Sequence, residues 1–255
     1  MKWVDLNSDV GESFGAYKLG DDERLMPFIS SANIACGFHA GDYMTINKTV
    51  KMCVKHGVLI GAHVGYDDLL GFGRREKDMT LDEIESLVTY QVGVMMGYCH
   101  LHGTFLNHVK LHGALYNQSA KNAALALKIV ETIKKIDKQL VLYGMAQSAH
   151  EKMAKQENLP FCSEVFSDRN YQVDGSLVPR NQPNAMIDDP SLAIQRMVHL
   201  VKFGELEDVD LNKLTLKAET ICIHGDTPNA WVYAKALKEA MGEQGIKVIG
   251  FKRGV

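Results

Sequence analysis

The sequence contains no pair of cysteines placed to form a cross-link or a thiolate metal site. Its five cysteines (Cys36, Cys53, Cys99, Cys162 and Cys222) are odd in number, widely spaced and without a C-x-x-C pair. Neither a disulfide framework nor a zinc ribbon is therefore expected. Basic residues are not in excess either. The 28 Lys and Arg stand against 31 Asp and Glu, a net charge of −3. That argues against proteins that hold nucleic acid or anionic membrane by neutralising phosphates. No run approaches the ~18 apolar residues of a membrane-spanning helix. The opening Met1-Lys2-Trp3-Val4-Asp5 shows no apolar stretch of the secretory kind. Together these absences predict a cytoplasmic protein with neither nucleic-acid nor membrane partners. Three signatures are also missing. There is no G-x-x-x-x-G-K-[ST] loop, no G-x-G-x-x-G opening a helix after a strand, and no G-x-S-x-G elbow. Gly71-Phe72-Gly73 lacks the third glycine. A P-loop ATPase, a dinucleotide oxidoreductase and a serine hydrolase are thus disfavoured, which leaves acid–base or metal-assisted chemistry from Asp, Glu, His and Lys.

What is present is a repeating pattern. Short apolar runs at Trp3–Asn7, Ser31–Cys36, Val58–Ala62, Asn107–Leu111, Leu140–Tyr143, Phe161–Phe166, Thr220–His224 and Lys247–Gly250 read as buried parallel strands. Between them lie segments of helical period: Asp42–Lys55, Thr80–His102, Ala120–Ile136, Pro190–Phe203 and Asn229–Gln244. Thr80-Leu81-Asp82-Glu83 has the form of a capping box. Ile84, Leu87, Val88, Val92 and Met95 make one apolar stripe behind it. Repeated β-α units over 255 residues predict a closed α/β barrel of seven or eight parallel strands, with an open doubly wound sheet as the runner-up. No Pro/Ser-rich linker divides the chain, so one barrel domain over residues 1–255 is expected. One long irregular stretch, Ser167–Asp188, has the length of a functional loop.

In such a barrel the active site forms at the C-terminal ends of the strands. The residues at and after each predicted strand end are Asn7, Asp9 and Glu12; Cys36, His39 and Asp42; His63; Lys110 and His112; Glu164, Asp168 and Arg169; and His224 with Asp226. Of ten histidines, His39, His63, His112 and His224 fall at this rim, and the other six read as structural or surface residues. Of seven arginines, Arg74, Arg75, Arg169 and Arg180 fall in two rim loops. Their planar guanidinium groups suit carboxylate or phosphate oxygens, although ion pairs with Asp67, Asp68 and Asp168 would also account for them.

Seven strings carry a resemblance over nearly the whole chain. They are Asp5-Leu-Asn-Ser-Asp-Val-Gly-Glu12, Ser31-Ala-Asn-Ile-Ala-Cys-Gly-Phe-His-Ala-Gly-Asp42, Ala62-His63, Gly71-Phe-Gly-Arg-Arg75, Val109-Lys-Leu-His-Gly-Ala-Leu-Tyr-Asn117, Glu164-Val-Phe-Ser-Asp-Arg169 and Ile223-His-Gly-Asp226. In this order they resemble the LamB/YcsF family. The resemblance implies a barrel of the glycoside hydrolase/deacetylase type with seven strands. It also implies ring opening of 5-oxo-L-proline to L-glutamate, coupled to ATP hydrolysis, in concert with partner subunits B and C. The sequence departs from the family pattern at Val64, Asp67 and Leu111, where the family carries proline.

A lactam resists attack by water until its amide resonance is broken, and phosphorylation of its oxygen by ATP would break it. ATP is thus expected as co-substrate; the missing Walker loop favours the partner subunits for the ATP step, and which subunit holds ATP is left open. On this reading Asp9 and His39 form the base pair, with His63 beside them. Lys110 and His112 stabilise oxyanion or phosphate. One of Arg74, Arg75 and Arg169 pairs with the substrate carboxylate. Asn7, Glu12 and Asp226 orient these groups, and Asp168 and His224 are further candidates for binding the substrate. Two alternatives remain: a non-catalytic binding component of such a complex, and a metal-dependent deacetylase or amidohydrolase. The latter would use Asp9, His39 and His63 as ligands for a divalent ion, which is not the favoured reading. A homo-oligomer is left open.

Overall fold

A computed structural model describes residues 2–179, 181–225 and 229–254. Asp226 and Arg180 lie outside the described residues. The first half runs β1 (Trp3–Val10), α1 (Asp22–Leu25), β2 (Ser31–Ala35), α2 (Tyr43–His56), β3 (Leu59–Val64), α3 (Leu81–Leu101), β4 (His108–Leu111), α4 (Gly113–Lys121) and α5 (Ala123–Ile136). The second half runs β5 (Val141–Met145), α6 (Ala149–Glu157), β6 (Phe161–Phe166), α7 (Pro190–Phe203), β7 (Glu205–Glu207), β8 (Lys213–Thr215), β9 (Thr220–Ile223), α8 (Ala230–Glu243) and β10 (Lys247–Val248). Strands β1 to β6 and β9 form one parallel sheet, and pairing of β1 with β9 closes it. The barrel therefore has seven strands, and the open-sheet alternative is excluded. The eighth predicted strand does exist. However, β10 pairs only with Trp3 and Val4, ahead of the point where β9 joins β1 at Asp5. It extends one edge and takes no part in closure.

Local sequence accounts for the helix boundaries. The Asp42 carboxylate caps α2 by accepting from the amides of Met44 (3.0 Å) and Thr45 (2.8 Å). At α3 the expected capping box is formed by Thr80 and Glu83, and all five stripe residues are buried. The segment expected as a single helix over Ala120–Ile136 is instead divided. Asn122 ends α4 and caps α5, its side-chain oxygen accepting from Ala124 and Leu125. Helix α6 gave no sequence signal because only His150 and Ala154 on it are buried, so it lacks an apolar stripe. The three-residue hairpin strands β7 and β8 are too short for periodicity to reveal.

The barrel has an apolar outer shell and a polar interior. Residues on one face of β1 (Val4, Leu6 and Val10) join the core beneath the helices. Residues on the other face (Asp5, Asn7 and Asp9) point inward, following the two-residue period of a strand. Branched aliphatic side chains usually fill such a barrel. Here the interior is a hydrogen-bonded network. At its base the Asp5 carboxylate accepts from the hydroxyls of Ser30 (2.5 Å), Ser31 (2.8 Å) and Thr220 (2.6 Å). Above it the His108 ring stacks on Tyr143 with centroids 4.0 Å apart, and its Nε2–H donates to Asn33 (2.8 Å). Only glycine fits at position 61, since a Cβ there would lie 2.1 Å from His108 Nε2.

Burial raises the Asp5 carboxyl to about 6 from its ordinary 3.8, although three hydroxyls donate to it. The folded protein thus holds this proton more tightly than the unfolded chain. The associated stabilisation is complete below 3.8 and is lost as pH rises through about 6. Asp5→Asn cannot titrate. The unfolding free energy of the parent minus that of Asp5→Asn should therefore fall by about 3 kcal/mol from acid to neutral pH in denaturant titrations. A pH-independent difference would contradict this assignment.

Candidate active site

The C-terminal ends of the strands surround a cavity of about 590 Å³ lined by Asp9, Glu12, His63, Lys110, His112 and His224, among others. A larger cleft of about 890 Å³ beside α7 and the β7–β8 hairpin contains none of these strand-end residues.

The floor of the cavity is built around Lys110, which β4 projects into the barrel. Its Nζ lies 3.0 Å from Asp9 Oδ1, 2.9 Å from Glu164 Oε1, 3.1 Å from Asn7 Oδ1 and 3.0 Å from Cys222 Sγ. These partners reside on β1, β6 and β9, so one ammonium ties the far sides of the barrel together. Burial alone would lower this lysine. Asp9, Cys222 and Glu164 outweigh burial and hold it well above its usual value, so it stays charged. Burial would likewise raise Asp9, but His63 and Lys110 hold it well below the ordinary carboxylate range. Glu164 is fully buried and also accepts from Tyr116 Oη (2.8 Å) and Asn7 Nδ2 (3.0 Å).

Beside this floor sits a group of three histidines. His63, on β3, lies 3.4 Å from Asp9 Oδ2 through its Nε2. His112 follows β4 directly and occupies the cap position of α4. His39 comes from the loop between β2 and α2, and its ring stacks on that of His112 with centroids 3.8 Å apart and planes 5° apart. Gly73, with φ +62°, makes room for this stack: a Cβ there would lie 2.8 Å from both His112 and His39. Burial, reinforced by the neighbouring histidines, keeps His39 well below and His112 down at about 3, so both favour the neutral form.

These positions revise several expectations. The imidazole beside Asp9 is that of His63, not His39. One ligating atom from each of Glu12, His39, His63 and His112 can be chosen so that all lie within 4.8 Å of one another. This set shares His39 and His63 with the expected trio and has Glu12 and His112 in place of Asp9, whose Oδ1 meets Lys110 and whose Oδ2 faces His63. Arg75 does not line the cavity. It pairs instead with Asp68, whose carboxylate caps the Leu69–Gly71 turn, so it braces the loop. Arg74 does line the cavity, with its guanidinium over the Phe72 ring at 4.9 Å. Arg169 is nearly buried and donates to the carbonyls of Val178 (2.6 Å) and Ala185 (3.4 Å), holding the 167–188 stretch against the mouth. His224 Nδ1 meets Asp168 Oδ2 at 2.8 Å, and its ring stacks on Phe166, apart from the other three histidines. Asn7 is fully buried below the cavity and braces Lys110 and Glu164.

Sequence reasoning gave no role to Asn33, Tyr116 or Cys222, and did not recognise Glu164 as a partner of Lys110. A signal was present in the strands. Polar residues two apart, as in Asp5-x-Asn7-x-Asp9, Ser31-x-Asn33 and His108-x-Lys110, mark one face of a strand.

The comparisons with known proteins agree with this geometry. The model of the LamB/YcsF family matches residues 4–254. The chain is 46% identical over 245 residues to the 5-oxoprolinase A subunit of Oceanobacillus iheyensis, covering 96% of this chain and 95% of the relative. It is 48% identical over 248 residues to the 5-oxoprolinase A subunit of Limosilactobacillus fermentum, covering 97% and 99%. The crystal structure of the lactam utilization protein from Thermus thermophilus superposes with a TM-score of 0.94 at 39% identity, covering 98% of this chain and 100% of that one. A match of this extent, on a seven-stranded barrel whose strand ends carry the expected strings, shows that the chain belongs to the LamB/YcsF family.

Proposed function

We propose that this chain is the A subunit of a 5-oxoprolinase, which opens 5-oxo-L-proline to L-glutamate with ATP and partner subunits B and C. The observation that carries the reading is near-full-length identity to relatives bearing that name. The site supports it, because lactam opening needs a base for water and a cation for negative charge on oxygen, and Asp9 and Lys110 are candidates for these at the cavity floor.

In the balanced reaction ATP phosphorylates the lactam oxygen and releases ADP. Water then adds to the former carbonyl carbon, and the ring C–N bond breaks as nitrogen takes a proton. A second water releases phosphate from the resulting acyl phosphate. Asp9, ionised and in contact with His63, takes the proton of the attacking water. Lys110, held charged, offsets the negative charge that phosphorylation places on the former carbonyl oxygen. Arg74 and Arg169 line the cavity and supply the cationic side for the substrate carboxylate. ATP binding is assigned to the partners, since the chain has no Walker loop. Five free cysteines fit a reducing cytoplasm, and among the described residues no helix is long and apolar enough to cross a membrane.

The expected result of a reconstitution assay is glutamate from 5-oxoproline and ATP only when this chain is mixed with subunits B and C. Glutamate from the chain alone would show an autonomous enzyme. Undiminished turnover in mixtures lacking this chain would make it dispensable. Within the active mixture, Asp9→Asn, assayed well below its melting temperature, should lower kcat by roughly 10²–10⁴-fold. Retention of full activity would remove Asp9 as base. Lys110→Met should abolish activity and also destabilise the fold by about 3–5 kcal/mol, because Asp9 and Glu164 would remain buried without their cation. Thermal denaturation would register that loss.

A further inference from the structure

The histidine group has a feature that lactam hydrolysis does not require. His63 Nδ1 lies 3.3 Å from the carbonyl oxygen of Lys110, and His112 Nε2 lies 2.8 Å from that of Phe72. A carbonyl can only accept, so each ring donates its N–H there. With both rings neutral, the opposite nitrogens, His63 Nε2 (3.4 Å from Asp9 Oδ2) and His112 Nδ1, carry bare lone pairs. They face each other at 2.9 Å. Two lone pairs at that distance repel unless a cation lies between or beside them. His39 adds a third imidazole. It is fully buried, and neither of its ring nitrogens has a hydrogen-bond partner. An imidazole in that state is unfavourable unless a ligand satisfies it.

We propose that Glu12, His39, His63 and His112 form a binding site for one divalent transition-metal ion at the edge of the cavity. Their ligating atoms, all within 4.8 Å of one another, can close around one ion with side-chain movements of about an ångström, since Zn–N and Zn–O bonds are about 2.0–2.2 Å. Three imidazoles and one carboxylate select zinc or cobalt over magnesium, calcium or manganese, which prefer oxygen ligands. The carbonyls of Lys110 and Phe72 act as the outer hydrogen-bond partners that ligating histidines commonly have, fixing tautomer and ring orientation. The site stands independently of the lactam reading. Metal binding is measured without substrate or partner subunits, so the two succeed or fail separately.

Full-length chain is treated with chelator, dialysed and titrated with Zn²⁺ by calorimetry and with Co²⁺ by visible absorption. The expected result is one equivalent of Zn²⁺ bound tighter than about 1 µM, together with d–d bands of four- or five-coordinate cobalt. His63→Ala and His112→Ala should each weaken Zn²⁺ binding by about 100-fold or more, and Glu12→Gln should weaken it while keeping the packing. His199→Ala, whose ring packs against Phe203 on α7, should bind as the parent does. If the histidine variants fail to fold, Glu12→Gln alone decides. Absence of binding in the parent would overturn the proposal. So would equal binding by parent and Glu12→Gln, or histidine ¹⁵N spectra showing a shared proton between His63 and His112 that Zn²⁺ does not displace.

Discussion

A single buried ammonium organises this molecule. Lys110 is almost fully enclosed and meets Asp9 and Glu164 across the barrel. Ions cost several kcal/mol each to remove from water, and such a group is tolerated only with close, hydrogen-bonded partners. The surrounding strands supply them: Asn7 and Asp9 from β1, Glu164 from β6 and Cys222 from β9. The demand spreads outward. Asn7 and Tyr116 donate to Glu164, Asn33 donates to Asp9, and His108 donates to Asn33. A hydrophobic barrel interior would gain stability from apolar packing. This interior holds its groups in defined protonation states, and the apolar shell under the helices carries the stability instead.

The same constraint divides the mouth of the barrel. Asp9 is held ionised beside His63, and Lys110 is held charged beneath the cavity, which suits attack by water and stabilisation of an oxyanion. The neighbouring histidines are pushed toward the neutral form, as ligands must be. The proposed acid–base residues and the proposed cation site thus occupy adjacent parts of one cavity, with His63 belonging to both. Among the described residues, Arg169, Ser176, Leu177, Pro179 and Asn181 form one wall, with Arg169 donating to the carbonyls of Val178 and Ala185.

The fold was largely legible in the sequence, because alternating strands and amphipathic helices announce themselves by period. The α3 stripe and its capping box appear as read, and the strand ends bring Asp9, His63, Lys110 and His112 together. What the sequence concealed depends on three-dimensional closure. Whether Lys247–Val248 joins the barrel depends on where β9 meets β1, which no local pattern encodes. That His63 rather than His39 stands beside Asp9 depends on the ring stack that Gly73 permits. Arg75 looked like a carboxylate binder because its short-range partner Asp68 is equally consistent with a loop brace. The polar interior was visible as alternation within strands, but it could not be distinguished from a solvent-facing edge until the barrel closed.

The central claim is that the lactam is processed at the strand-end cavity above Lys110. A crystal structure of this chain with 5-oxoproline tests it most directly. The account predicts the ring in that cavity, with its carbonyl oxygen within hydrogen-bond reach of Lys110 and its carbonyl carbon facing the side of Asp9 and His63. A lactam found instead in the cleft beside α7, or bound only by subunits B and C, would contradict it.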